Sequence, residues 1–281
     1  MNFSAVVNDP TVFAKTFKQQ AEGKVHDSMG SIGLRIRESH DSEAHPNVVP
    51  IIIALDVTGS MDKVPKQLVA EGLPKLITGL LAAGVDPAVC FIAIGDHKSD
   101  YFPLQVAQFE SGDEELDMWL TRTFLEGKGG GNGGESYSLA WLFAARYTEI
   151  HSLTKRGQKG FLFTIGDEPN HSSLDKLNLN RIFGGGFETD LQSKDLLKEA
   201  QEKYHVYHLN VLHGYAYNTK TKNGWGHMGE HAIDVYDAED VAPCIIKTVS
   251  EHAEACCPDV AAKHTEYAPK SDNVSDDEDM M

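Results

Sequence analysis

Three stretches of the chain are apolar at consecutive positions and each stops at an acidic residue. Val48 to Leu55 ends at Asp56, Ala88 to Ile94 ends at Gly95-Asp96, and Gly160 to Ile165 ends at Gly166-Asp167. A run that is apolar at every position, and not at alternate ones, is covered on both faces, as in parallel sheets flanked by helices. Val206 to Leu212 is expected to be a fourth parallel strand, with shorter strands over Leu104 to Phe109 and, at an edge, over His231 to Tyr236. Between them the periodicity changes. Met61, Val64, Leu68, Leu76 and Leu80 recur at helical spacing and predict a crossover helix over 61–83, kinked or split at Pro74. Further helices are predicted over 113–122, from Glu135 to about 150, over 190–203 and over 239–255. Asp9-Pro10 marks a capped helix that ends near Gly23, and 168–187 reads as a long polar connection. Strands alternating with helices predict a doubly wound, mostly parallel α/β sheet with helices on both faces. Such sheets bind ligands beyond the carboxyl ends of their strands. Asp56, Asp96 and Asp167 all fall at that edge.

Three parts follow along the chain. Residues 1–46 form an N-terminal helix and an extended polar lead-in able to add an edge strand, 47–255 form the α/β domain, and 256–281 form an acidic tail. The tail carries Asp272, Asp276, Asp277, Glu278 and Asp279, and is expected to be disordered.

The 281 residues are 41% hydrophobic, enough for a substantial core, and carry a formal net charge of −17. That charge repels phosphate backbones and anionic lipid, so neither nucleic acid nor a membrane is an expected partner. No apolar stretch is long enough to span a bilayer, and residues 1–13 lack a basic start and a continuous apolar middle, so a cytoplasmic protein is expected. Four cysteines, none in CxxC spacing, read as reduced packing thiols. The scatter of thirteen histidines favours surface positions over a single metal cluster.

The strongest candidate chemistry follows the first strand. Asp56, Thr58 and Ser60 place three oxygen donors at alternate positions, a pattern that suits a hard divalent cation such as Mg²⁺. The alternative is a plain helix cap, which accounts for one hydroxyl and leaves the others without a task. Carboxylates converging at one sheet edge would repel by about 3 kcal/mol per close pair, and a bound cation would reverse the sign. Asp96 and Asp100 read as turn-capping residues, with a place in the outer shell of the same metal or at a separate cation as the other options.

Asp56-Val57-Thr58-Gly59-Ser60-Met61 resembles the D-x-S/T-x-S signature of the von Willebrand factor A superfamily. Gly133-Gly134-Glu135-Ser136 stands where that family has a Gly-Gly-Thr-Asp segment, with glutamate replacing threonine, and Asp167 matches its third element. The resemblance covers about 47–250. Gly95-Asp96-His97-Lys98-Ser99-Asp100 is similar to a bacterial and phage branch. The resemblance implies a metal-ion-dependent adhesion site: Mg²⁺ or Mn²⁺ coordinated by Thr58 and Ser60, held by Asp56 and Asp167 largely through waters, with Glu135 as a further ligand. It also implies a protein partner that supplies a carboxylate, and an ATPase of the AAA+ class beside it. A direct Glu135 ligand would hold the metal more firmly and attract an acidic partner less.

Rival motifs are weaker. Gly129-x-Gly131-x-x-Gly134 fits a dinucleotide fingerprint by letters only, because it follows a helix and precedes Glu135. His227-Met228-Gly229-Glu230-His231 is an HxxEH string, the alternative being a zinc-dependent hydrolase with Glu251 or Glu254 downstream. Its glycines argue against the helix that such a site needs. Ser60 lacks a nucleophile elbow and an identified histidine, although His97 and His213 sit at strand ends near it. The reading reached is a non-enzymatic, metal-dependent protein-binding module.

Overall fold

The structure, a computed structural model, describes residues 24–61, 63–68, 72–125, 134–212 and 224–256. In chain order, β1 (Arg37–Ser39) and β2 (Val49–Asp56) precede α1 (Val64–Gln67) and α2 (Leu73–Ala82), followed by β3 (Pro87–Ile94), β4 (Leu104–Glu110) and α3 (Asp113–Arg122). Then come α4 (Ser138–Arg146), β5 (Thr148–Ile150), α5 (His151–Arg156), β6 (Gly160–Gly166), β7 (Ser173–Leu174) and α6 (Lys176–Phe183). The remainder is β8 (Leu191–Gln192), α7 (Ser193–Lys203), β9 (Tyr204–Val211), β10 (Ala232–Val235) and α8 (Ala238–Cys256). The main sheet has six strands in the order β10-β9-β6-β2-β3-β4, and only β3–β4 is antiparallel. Helices cover both faces, so the expected mostly parallel α/β architecture is present.

Alternate residues of each central strand enter different cores. Ile51, Ile53 and Leu55 of β2 join Phe91, Phe163 and Leu209, beneath Leu76 and Leu80 of α2 and Val241, Ile245 and Val249 of α8. Ile52 and Ala54 join Ile92, Leu162 and Val206 on the other side, beneath α4, α6 and α7. Each fully buried Leu, Ile or Phe contributes about 1.5–3 kcal/mol, which is why both faces of these strands are largely apolar. Helix α4 is buried from Ser138 to Ala144, consistent with its being apolar nearly all round.

Three elements differ from expectation. The crossover helix over 61–83 is split into a 3₁₀ turn at Gly59–Met61, α1 and α2, with Pro65 and Pro74 each in a first turn, where a missing N–H costs least. The helix expected from Glu135 to 150 stops at Arg146, because Thr148–Ile150 leaves it to pair in parallel with Arg37–Ser39 of the lead-in. The polar connection over 168–187 contains α6, capped by Asp175 accepting from the Asn178 N–H and closed by Gly184 at φ 83°. The predicted helix over 9–23, most of the glycine-rich segment with its dinucleotide-like string, His213 and the acidic tail beyond Cys256 lie outside the described residues. Among the described residues no helix is long and apolar enough to cross a membrane.

The sheet order locates a crevice. From β2 the chain crosses over to β3 on one side, and from β6 to β9 on the other. The connections therefore diverge between β2 and β6, the topological switch point at which such sheets bind ligands. Asp56 ends β2 and Asp167 follows β6.

Candidate metal centre

Beyond β2 the backbone turns sharply, and the Asp56 carboxylate stabilises that turn. Its Oδ1 accepts from the Thr58 N–H at 2.9 Å and from the Thr58 hydroxyl at 2.6 Å. The Thr58 and Ser60 hydroxyls lie 3.3 Å apart, and Ser60 donates to Asp167 Oδ1 at 2.8 Å. Four of the five sequence-derived site residues, Asp56, Thr58, Ser60 and Asp167, thus form one connected set at the β2/β6 switch point. A helix cap alone does not describe this geometry: both hydroxyls face carboxylates.

The fifth, Glu135, is placed by its backbone. Its N–H donates to the Pro169 carbonyl at 2.9 Å and its carbonyl accepts from the His171 N–H at 3.0 Å, so the segment after the glycine-rich stretch runs beside the segment after β6. Its side chain is buried, and Oε2 has no hydrogen-bond partner. Asp56, Asp96, Asp100 and Glu168 all act on it electrostatically, which puts its carboxyl among the acids of this edge.

Electrostatics reveal the cost. Burial, opposed by the Thr58 donors and reinforced by Asp167, raises the Asp56 pKa to about 7. Burial, reinforced by Asp56 and then Asp96, raises Glu135 to about 10. A buried carboxyl without a partner is among the least favourable arrangements in a protein interior. Three carboxyls, one of them carrying the unpartnered Oε2 of Glu135, and two hydroxyls make an all-oxygen donor set that fits a hard divalent cation. The rim is open on one side, because Ser60 is exposed while Asp56, Thr58, Glu135 and Asp167 are buried.

Tyr137 is a site residue that motif reading missed. Fully buried, it donates to Asp56 Oδ2 at 2.8 Å, and its ring meets those of His208 and Trp225. His208 stacks on Trp225 with ring centroids 3.5 Å apart. Nothing in the sequence distinguished Tyr137 from the apolar residues of α4 beside it.

Other expectations meet different fates. Asp96 and Asp100 do cap a turn, with Asp96 accepting from the Lys98 N–H and Asp100 from the Asp96 N–H. The expectation of surface histidines fails for His97 and His208, which are 1% and 0% exposed. His227, Glu230 and His231 do not assemble. They lie in a 3₁₀ segment, Gly226–His231, broken by Gly229 at φ 56°; His227 contacts the Gly224 carbonyl, and His231 packs on Tyr207. Among the described residues they join no group of three that could share an ion, and the side chain of Glu254, one of the two downstream ligands of the zinc-hydrolase alternative, lies outside the described residues. Cys90 and Cys244 are free thiols.

No protein-family model matches this sequence, and no curated protein matches it. Solved structures with similar folds include the pilus adhesin SpaC from Lactobacillus rhamnosus GG in its open conformation. It is 10% identical with a TM-score of 0.49, and the match covers 81% of this chain and 32% of SpaC. Proximal thread matrix protein 1 from the mussel byssus is 8% identical with a TM-score of 0.49, over 72% of this chain and 47% of that one. The conserved hypothetical protein BatB from Bacteroides thetaiotaomicron is 17% identical with a TM-score of 0.44, over 73% of this chain and 99% of that one. This chain therefore spans about a third of SpaC and half of the byssus protein.

Proposed function

We propose that the chain is a metal-dependent protein-binding module of the von Willebrand factor A type. In it, Mg²⁺ or Mn²⁺ at Asp56, Thr58, Ser60, Glu135 and Asp167 bridges to an oxygen ligand on a partner protein. The observation that carries the reading is the Ser60–Asp167 contact at 2.8 Å between residues 107 positions apart. It joins the first and third elements of the motif at the sheet's switch point. Support also comes from the unpartnered buried Oε2 of Glu135 and the upward pKa shifts of Asp56 and Glu135, both of which a cation would relieve.

When bound, the ion supplies an electrophilic position that an acidic residue of a partner can occupy. The chain's own residues do the rest. Thr58 holds Asp56 through two donors, Tyr137 fixes the other oxygen of the same carboxylate, and the exposed residue Ser60 marks the side from which a partner enters. Such a bridge suits a chain of net charge −17, which would otherwise repel an acidic partner. An AAA+ ATPase is the partner class that the family resemblance suggests.

The test compares wild type with Asp56→Ala/Ser60→Ala. At a Mg²⁺ concentration a hundredfold above Kd, wild type should gain about 2.7 kcal/mol of stability and the double variant none. Capture of partners in Mg²⁺, lost both in chelator and in the double variant, should follow. An equal metal response in both proteins would overturn the assignment.

A further inference from the structure

A second group of ligand-type side chains adjoins the proposed Mg²⁺ donors without sharing any of them, at the end of β3. Asp96 Oδ1 is 2.9 Å from His171 Nε2 and 3.5 Å from His97 Nδ1, and one ligand atom from each of the three residues lies within 4.8 Å of the others. The Ser136 hydroxyl completes the group, 2.6 Å from His97 Nδ1 and 3.3 Å from Asp96 Oδ1. We propose that Asp96, His97 and His171, with Ser136 or a water in the fourth position, form a binding site for a borderline transition-metal ion of the Zn²⁺ type.

Donor chemistry separates this site from its neighbour. Two imidazoles and one carboxylate favour Zn²⁺ or Co²⁺, whereas the all-oxygen set around Asp56 favours Mg²⁺. The far nitrogen of His97 provides an independent indication. Nε2 is buried, makes no hydrogen bond of good geometry, and has Asp175 Oδ2 3.3 Å away. A carboxylate facing the non-ligating nitrogen is what orients a metal-bound imidazole and sets its tautomer. Asp175 is itself held as the cap of α6 by the Asn178 N–H and side-chain amide.

The surrounding frame is rigid. Arg181 of α6 donates to the carbonyls of His97, Asp100 and Tyr101, clamping the 97–101 turn against the helix. Asp96 and His97 are 0% and 1% exposed, while His171 reaches the surface and offers a way in. Lys98 Nζ, on an exposed side chain, stands 3.3 Å from His171 Nδ1. Burial keeps the His97 ring unprotonated, as a ligand must be.

The inference does not rest on the Mg²⁺ reading, and the two are tested separately. The full chain, dialysed against chelator and kept in excess Mg²⁺, is titrated with Zn²⁺. One equivalent should bind tightly, and His171→Ala should weaken it by at least about 100-fold, the upper end of what loss of an outer partner alone produces. Ser60→Ala should leave zinc affinity unchanged. Zinc bound as tightly by His171→Ala as by wild type, or lost in Ser60→Ala, would overturn the proposal. So would the lack of a stoichiometric site in wild type. X-ray absorption of the zinc-loaded wild type is independent of any variant: scattering from two imidazoles is expected, and its absence would overturn the proposal too.

Discussion

Glu135 is the most informative carboxyl in the molecule. With its pKa raised to about 10 in the metal-free protein, its carboxyl is protonated at neutral pH while that of the unfolded chain is ionised, so Glu135→Gln should stabilise the metal-free protein at pH 7 by about 1–3 kcal/mol. A Mg²⁺ ion that uses Glu135 must displace that proton. Calorimetry in buffers of different ionisation enthalpy should therefore show proton release on Mg²⁺ binding that falls by about one proton in Glu135→Gln. Tyr137 tests the other side of the site. Tyr137→Phe leaves Asp56 Oδ2 without its donor in a buried setting and should cost about 1–3 kcal/mol, read from denaturant unfolding in chelator.

At the scale of elements, the repeated Gly-Asp at strand ends has a steric cause. A Cβ on Gly166 would stand 1.8 Å from the Tyr137 hydroxyl and 2.5 Å from its ring carbon, and one on Gly95 would stand 2.4 Å from Asp100 Oδ2. Each glycine lets a side chain that organises an aspartate of this edge lie against the strand backbone: Tyr137, which donates to Asp56, at Gly166, and Asp100, which accepts from the Asp96 N–H, at Gly95. Gly166→Ala should therefore destabilise the fold by about 1–3 kcal/mol and also weaken Mg²⁺ binding, measured by thermal shift with and without the ion. The elements that sequence reading misplaced were those decided by distant partners. Thr148–Ile150 continues a helical pattern by letters, yet it leaves the helix because Arg37–Ser39 offers a pairing edge. Helix α6 did have a readable cap at Asp175, but its polar surface concealed the buried stripe of Leu179, Ile182 and Phe183.

For the whole molecule, the acid cluster makes stability depend on pH in a definite sense. Asp56 and Glu135 have folded-state pKa values raised above those of the unfolded chain, so their contribution is complete below about pH 4 and is lost as pH rises towards 7 and 10 respectively. Metal-free protein should lose stability from these groups between pH 5 and 9 on the pH axis, and Mg²⁺ should restore more of it at the alkaline end. Unfolding curves across that range, with Mg²⁺ and with chelator, read the difference directly. A Mg²⁺ increment that shrinks with rising pH would contradict the placement of the cation among these carboxyls.

Runs of Ile, Val, Leu and Phe too continuous for a one-faced sheet determined the parallel, doubly covered architecture, since burying them on both sides was the only way to remove them from water. Asp56, Thr58, Ser60 and Asp167 were likewise legible, because their place just past strand ends follows from where each apolar run stops. The joining of residues 107 apart, the burial of Glu135, the tyrosine against Asp56, and the meeting of His97 with His171 were decided only in three dimensions. The period of a chain reports which face of an element is apolar. Which element packs against that face, and so which polar groups lose water together, depends on the crossing order of the strands, and no local pattern encodes it.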